Sequence, residues 1–231
     1  MPALTTTPAQ NYARLRDRIA QMAPGRDITL VAVTKSVDAP QALELARAGA
    51  LELGENRVDV LEDKAAAFEA AGVRVRWHYL GHLQTNKAKR LARVADVLHS
   101  LDSAELADKL EAELARGERC MDVFVQLKLT DEQAKTGLDP AELPMLVTHL
   151  ERCPHLRLAG LMAMAPLAAT DRAGAARDVF RRLKQTAAAL ETQLGRPMRC
   201  SMGMSEDFEI ALAEGADVLR IGSLLFETET A

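Results

Sequence analysis

The sequence has few cysteines and few aromatic residues. Only three of its 231 residues are cysteines, and aromatic side chains make up 3% of the chain. Cys120, Cys153 and Cys200 lie far apart and form no C-x-x-C pair, which argues against a disulfide framework or a zinc site and predicts reduced thiols in a cytoplasmic protein. So few aromatic rings leave little surface on which single-stranded nucleic acid could stack.

An excess of charge of one sign and a targeting segment are also missing. The chain has 29 basic and 33 acidic residues, a formal net charge of −4, which argues against binding to nucleic acid or to a membrane surface. The first residues do not form a basic segment followed by an apolar one, so no signal peptide is expected. No apolar run approaches the roughly 18 residues of a membrane span. With 48% hydrophobic residues, we expect one domain over residues 1–231, with residues 1–8 disordered.

What is present is a repeated unit of a short apolar strand and a helix, which follows an amphipathic helix at residues 9–22. Strands are predicted at residues 30–34, 51–54, 77–81, 97–101, 123–127, 158–164, 198–202 and 218–221. Strict alternation indicates parallel pairing, and eight such units close a (β/α)8 TIM barrel. A doubly wound sheet is the weaker alternative, because no G-x-G-x-x-G follows the first strand. The last helix is missing or vestigial, and the N-terminal helix could cover that gap or the bottom of the barrel.

The first predicted strand runs from Leu30 into Thr34 and Lys35. Strand alternation places Lys35 on the same face as Val31 and Val33, toward an apolar interior. A lysine there costs free energy unless it is paired or uncharged, and an uncharged amine is a nucleophile that forms Schiff bases. On this stretch alone, the alternative is a lysine whose stem is buried and whose head reaches water.

The loops after strands seven and eight, residues 201–205 and 222–223, are rich in hydroxyl groups and glycine. Barrel enzymes often bind phosphate with these two loops, and a helix predicted to begin near Ser205 would add backbone N–H donors. An ordinary capped helix and a tight turn are the alternative. A reactive lysine across the barrel mouth from a phosphate site suggests pyridoxal 5′-phosphate (PLP), although a Schiff-base aldolase for sugar phosphates has the same two features.

Six segments, in order and with matching spacing, resemble the pyridoxal phosphate homeostasis protein family, whose barrel is similar to the N-terminal barrel of alanine racemase. The resemblance covers about residues 30–226. The sequence departs from the family pattern at Glu227, where glycine is usual, and at Thr34, where serine is frequent. The six segments are Val-Ala-Val-Thr-Lys35, Gly54-Glu55-Asn56, the stretch 77–87, Gly160-Leu161-Met162, the stretch 201–207 and Arg220-Ile221-Gly222-Ser223.

The resemblance implies nine site residues for PLP. No metal site is expected, because His78 and His82 flank Gly81 without a third ligand at metal spacing. The resemblance implies a Schiff base on Lys35 and Arg220 near the pyridine nitrogen. The residues implied near the ring are Asn56 and His78, and those implied around the phosphate are Ser201, Gly203, Met204, Gly222 and Ser223. The role implied is PLP homeostasis by a monomer that carries the cofactor, hands it to apoenzymes and turns over no substrate. An amino-acid racemase or decarboxylase is the alternative.

The remaining titratable residues argue against a racemase. The alanine racemases that this barrel resembles take their second acid–base group, a tyrosine, from an additional domain, and this chain ends soon after strand eight. Tyr79 alternates with His78 and is therefore predicted to face the helices. His99, like His149 and His155, is predicted at a strand end or on the surface. We therefore expect no racemisation at an enzymatic rate.

Overall fold

Eight parallel strands form a closed barrel in chain order, and the last strand pairs with the first. This computed structural model describes residues 6–130, 136–166 and 170–226. The (β/α)8 prediction is confirmed, and the doubly wound alternative is wrong because the sheet closes. The strands are β1 (Thr29–Val33), β2 (Glu52–Glu55), β3 (Arg76–Tyr79), β4 (Val97–Leu101), β5 (Met121–Gln126), β6 (Leu156–Met162), β7 (Arg199–Ser201) and β8 (Val218–Ile221).

Helices surround the barrel, and some of them begin at a residue whose side chain caps the first turn. Asp38 caps the second helix, and its carboxylate accepts a hydrogen bond from the Gln41 backbone N–H at 3.0 Å. Short 3-10 turns at residues 85–87 and 140–142 lead into the fourth and sixth helices. The helices are α1 (Pro8–Met22), α2 (Ala39–Arg47), α3 (Val58–Ala70), α4 (Ala88–Val94), α5 (Ala104–Arg116), α6 (Leu143–Leu150), α7 (Arg172–Leu194), α8 (Phe208–Ala213) and α9 (Ser223–Phe226).

The N-terminal helix α1 fills the gap in the helical layer beside the short α9. The Asn11 side-chain amide donates to the Leu225 carbonyl at 3.2 Å, and the Tyr12 hydroxyl donates to the Gly49 carbonyl at 3.4 Å. Helix α1 therefore lies between α9 and the end of α2, which confirms the first of its two predicted positions. It begins within the stretch 1–8 that we predicted to be disordered, and residues 1–5 lie outside the described ranges.

The apolar core has two parts. The larger part lies between the barrel and its helices, and a smaller cluster inside the barrel contains Val31, Val97, Phe124, Met162 and Val218. Branched and aromatic side chains are typical of a barrel interior, but here buried polar groups share that interior with them. Within the described ranges, no helix is long and apolar enough to cross a membrane.

Candidate functional site

A cavity of about 590 Å³ opens at the C-terminal ends of the strands. This main cavity is the place where the fold predicts an active face. Asn56 follows β2 and lines the cavity. Tyr79 packs in the core between the barrel and its helices, whereas His78 faces the barrel interior, as strand alternation predicted. Six of the nine predicted site residues line the cavity: Lys35, Asn56, Met204, Arg220, Gly222 and Ser223.

Lys35 lies in a turn two residues beyond the end of β1. Both Val33 and Lys35 line the main cavity, which confirms the prediction that their side chains lie on the same face. The predicted burial of Lys35 is wrong, because the strand ends at Val33 and the lysine is exposed. Its amine is therefore accessible to a ligand that enters the cavity mouth.

A buried ion pair fixes the end of β1 immediately before Lys35. Lys64 on α3 donates to a Glu55 carboxylate oxygen at 2.5 Å and to the Thr34 carbonyl at 2.7 Å. The Thr34 hydroxyl donates to the same Glu55 oxygen at 2.6 Å. Sequence reasoning missed this group, because Lys64 belongs to a run of charged helical residues that is typical of a solvated face.

The loop after β7 differs from its prediction. Helix α8 begins at Phe208 and not near Ser205, so the residues predicted to form its first turn belong to the preceding loop. The Met204 backbone N–H instead donates to an Asp207 carboxylate oxygen at 2.6 Å, and the Gly222 N–H donates to the Ser205 hydroxyl at 3.4 Å. Burial raises the pKa of Asp207. The hydroxyl-bearing residues that line the main cavity here are Ser205 and Ser223.

Gly203 is required by the backbone of this loop. Its φ is +94°, in the region that favours glycine, and a Cβ atom would lie 2.6 Å from the Cβ of Ala211. Gly203 therefore shapes the loop by lacking a side chain, and it contributes no group that lines the cavity.

Arg220 places a buried guanidinium at the cavity wall. One of its terminal nitrogens donates to the Ser201 hydroxyl oxygen at 2.6 Å, and the other donates to the Ala163 carbonyl at 3.2 Å. Burial lowers the pKa of Arg220 to about 10, and the nearby Asp207 carboxylate acts in the opposite direction. The group stays cationic at neutral pH and presents a positive charge to the cavity.

His78 and Ser201 do not line the main cavity, because both are engaged in the barrel interior. His78 Nδ1 lies 2.8 Å from His99 Nε2, His78 Nε2 lies 2.5 Å from a Glu52 carboxylate oxygen, and His99 Nδ1 lies 2.8 Å from Ser201 Oγ. The prediction that His99 lies at a strand end or on the surface is wrong. Its ring is fully buried and stacks on the ring of Phe124, with 4.6 Å between the ring centroids. Burial lowers the pKa of His78, and it lowers the pKa of His99 strongly, so both rings are neutral at pH 7.

The two other histidines predicted near the surface form partly exposed pairs. His149 lies 2.7 Å from Asp108, and His155 lies 2.7 Å from Glu111. Ligand-type atoms of Asp108, His149 and Cys153 lie within 4.8 Å of one another, which places metal-type donors on the outside of the barrel. The Asp108–His149 hydrogen bond already satisfies two of these three groups.

Comparison with known proteins places this site in a family. The family model "Alanine racemase, N-terminal domain" matches residues 8–229. The pyridoxal phosphate homeostasis protein of Escherichia coli (strain K12) is 36% identical over 225 residues, which cover 94% of this chain and 95% of that protein. The chain belongs to the pyridoxal phosphate homeostasis protein family. A member of this family from Schizosaccharomyces pombe is 30% identical over 92% of this chain and 89% of its own.

Solved structures share this fold. PipY of Synechococcus elongatus with PLP bound superposes with a TM-score of 0.86 at 34% identity, covering 96% of this chain and all of that one (100%). The alanine racemase of Clostridium difficile superposes with a TM-score of 0.72 at 13% identity and shares the fold. This chain covers 57% of that racemase.

Proposed function

We propose that this protein holds PLP in its main cavity through a covalent bond to Lys35 Nζ and serves PLP homeostasis as a carrier. The observation that carries the proposal is the shared lining of one cavity by an accessible lysine, two serines and a buried arginine. The PLP bound to PipY supports the proposal, because that protein has the same fold at 34% identity.

The residues of the cavity suit the three parts of PLP. When bound, PLP supplies an aldehyde that condenses with an amine and a ring that withdraws electrons. Lys35 offers the amine, and the hydroxyls of Ser205 and Ser223 offer donors to the phosphate. Arg220 offers a fixed positive charge toward the ring. Ser205 takes the phosphate role that the sequence assigned to Ser201, whose hydroxyl already serves Arg220.

The same lining favours carriage over turnover. Racemisation needs an acid–base group on each face of the reacting carbon. Along the described parts of the chain, no tyrosine, histidine or cysteine lines the main cavity. Of its two carboxylates, Glu206 pairs with Arg172, and Asp207 accepts the Met204 N–H. Lys35 is thus left as the accessible base on one face.

The proposal also covers the cellular compartment, the recipients of PLP and the oligomeric state. Cys120, Cys153 and Cys200 are all free thiols, which supports a reducing, cytoplasmic compartment. We propose that the recipients are PLP-requiring apoenzymes, and that the carrier is a monomer with its open cavity mouth free to meet them.

Titration with PLP tests this proposal. The wild-type protein is expected to gain a visible absorbance band that saturates at one PLP per chain, and Lys35→Ala is expected to gain none. Lys87→Ala is the matched control, because Lys87 is exposed and does not line the main cavity. A Lys35→Ala protein that keeps the band, or a wild-type protein that never gains it, contradicts the proposal.

A further inference from the structure

Five side chains form one continuous hydrogen-bonded chain through the barrel interior. In order they are Arg220, Ser201, His99, His78 and Glu52, and they come from β8, β7, β4, β3 and β2. The donor–acceptor distances along the chain are 2.6, 2.8, 2.8 and 2.5 Å. The first four residues are buried, whereas Glu52 at the opposite end of the barrel keeps 31% of its side chain exposed.

The carboxylate end and the neutral state of the two rings together set the direction of the bonds. Glu52 as a carboxylate can only accept, so the His78 Nε2–H donates to it, and the Nδ1 of a neutral His78 then accepts from the His99 Nε2–H. The Nδ1 of a neutral His99 in turn accepts the Ser201 hydroxyl proton, while Ser201 Oγ accepts from the Arg220 guanidinium, which can only donate. Burial lowers the pKa of both rings, so each is neutral and carries its proton on Nε2.

This direction matters for Arg220. If the chain ran the other way, the Ser201 oxygen would accept from both His99 and the guanidinium, and its own proton would have no acceptor within the chain. With the chain running toward Glu52, His99 Nδ1 holds the Ser201 proton, which leaves a lone pair of the oxygen directed at Arg220. A second contact, to the carbonyl of Ala163 at 3.2 Å, fixes the plane of the guanidinium.

A purely structural role would not need these groups. Barrel interiors are ordinarily filled by layers of branched apolar side chains, and buried polar groups cost free energy relative to such packing. The polar chain ends at Arg220, the one of its five members that lines the main cavity. Any effect of its other members on the main cavity therefore passes through Arg220.

We propose that Glu52, His78 and His99 are positioning residues that act through Ser201 to hold the Arg220 guanidinium in the orientation that faces the cofactor. The effect on cofactor binding rests on the proposed function, whereas the chain itself does not. Its two parts can therefore be tested separately.

The first test uses the cofactor-free wild-type protein labelled with ¹⁵N-histidine. Long-range ¹H–¹⁵N spectra at neutral pH are expected to show His78 and His99 as neutral rings in the Nε2–H form. Among the five histidines, the signal set lost in His99→Phe assigns His99, and the set lost in His78→Phe assigns His78. An Nδ1–H form or a cationic ring at His78 or His99 overturns the proposed direction. This result does not depend on whether the protein binds PLP.

The second test is a double-mutant cycle on PLP affinity and on the visible band of the bound cofactor. His99→Phe keeps a ring against Phe124 but removes both nitrogens, and Ser201→Ala removes the link to Arg220. Each single variant is expected to bind PLP roughly ten-fold more weakly, as for one hydrogen bond to a charged group, and to shift the band. In the Ser201→Ala background, His99→Phe is expected to change the affinity by less than about two-fold.

Its outcomes separate the alternatives. His149→Phe, the same substitution on the outside of the barrel, is the matched control and should leave both affinity and band unchanged. If His99→Phe lowers only the free energy of unfolding, or if the two substitutions act additively, the positioning proposal fails while the carrier proposal stands. If the wild-type protein binds no PLP, the carrier proposal fails and the tautomer measurement still decides the direction of the chain.

Discussion

The buried histidine pair predicts a specific loss of stability in acid. The pKa of His99 is held well below its ordinary value, first by burial and then by the positive charge of neighbours that include Arg220. In the unfolded chain the pKa returns to about 6.5. Below that pH the unfolded chain binds a proton at His99 and the folded protein does not, so the free energy of unfolding falls as the pH falls.

The magnitude follows from this linkage. Between about pH 7.5 and about pH 5.5, one histidine that stays neutral only in the folded state removes about 1.4 kcal/mol of stability. The pKa of His78 is also lowered by burial, and the nearby Glu52 carboxylate opposes that shift, so the pair together removes at most about 2.8 kcal/mol. Within the window, stability rises with pH and levels off above the unfolded pKa.

Urea unfolding of the cofactor-free protein at the two pH values measures this difference. His99→Phe is expected to be less stable at both, but its loss between them should be smaller than that of the wild type by about 1.4 kcal/mol. His82→Gln is the control, because it removes a histidine whose side chain is half exposed and lies outside the buried pair. Equal losses in the wild type and in His99→Phe would refute the neutral buried ring.

Three further predictions concern the cavity. The double variant Ser205→Ala with Ser223→Ala should lose about 1.5–3 kcal/mol of PLP-binding free energy for each phosphate hydrogen bond removed. Absorbance titration measures the affinity, and circular dichroism checks that the fold is intact. Unchanged affinity would mean that the phosphate lies elsewhere. Gly203→Ala should lower the free energy of unfolding by about 1–3 kcal/mol, because φ is +94° and the new methyl group contacts Ala211. Urea denaturation measures this free energy, and an unchanged value would contradict the inferred backbone strain. The PLP-loaded protein should exchange the Cα proton of L-alanine slowly and with retention, followed by NMR and chiral chromatography, whereas inversion at about 1 s⁻¹ or faster would make it a racemase.

The barrel was predictable because its signal is spread over the whole chain. Each strand is a short apolar run, each helix has its own periodicity, and the strict alternation leaves few topologies. The predicted limits of β4 and β8 agree with the structure, since β4 lies between two aspartates and β8 lies between an aspartate and a glycine. The start of α8 was misplaced, because Ser205, Glu206 and Asp207 read as a capped first turn, whereas the Asp207 carboxylate binds the Met204 N–H before the helix begins.

The site was predictable only where its residues follow strand ends. Lys35 and Arg220 occupy such positions, and both line the cavity. The ion pair of Lys64 with Glu55 and the burial of His99 depend on contacts between different elements of the fold, and no local pattern encodes them. His78 and His99 lie 21 positions apart in the sequence, yet neighbouring strands bring His78 Nδ1 to 2.8 Å from His99 Nε2.

The attachment point of the cofactor tests the central claim most directly. The PLP-loaded protein is reduced with borohydride, digested and analysed by mass spectrometry, which locates the lysine that carried the cofactor. The account predicts one reduced adduct per chain, on the peptide that contains Lys35. An adduct on Lys64 or Lys87 in its place, or no adduct at Lys35, would contradict it.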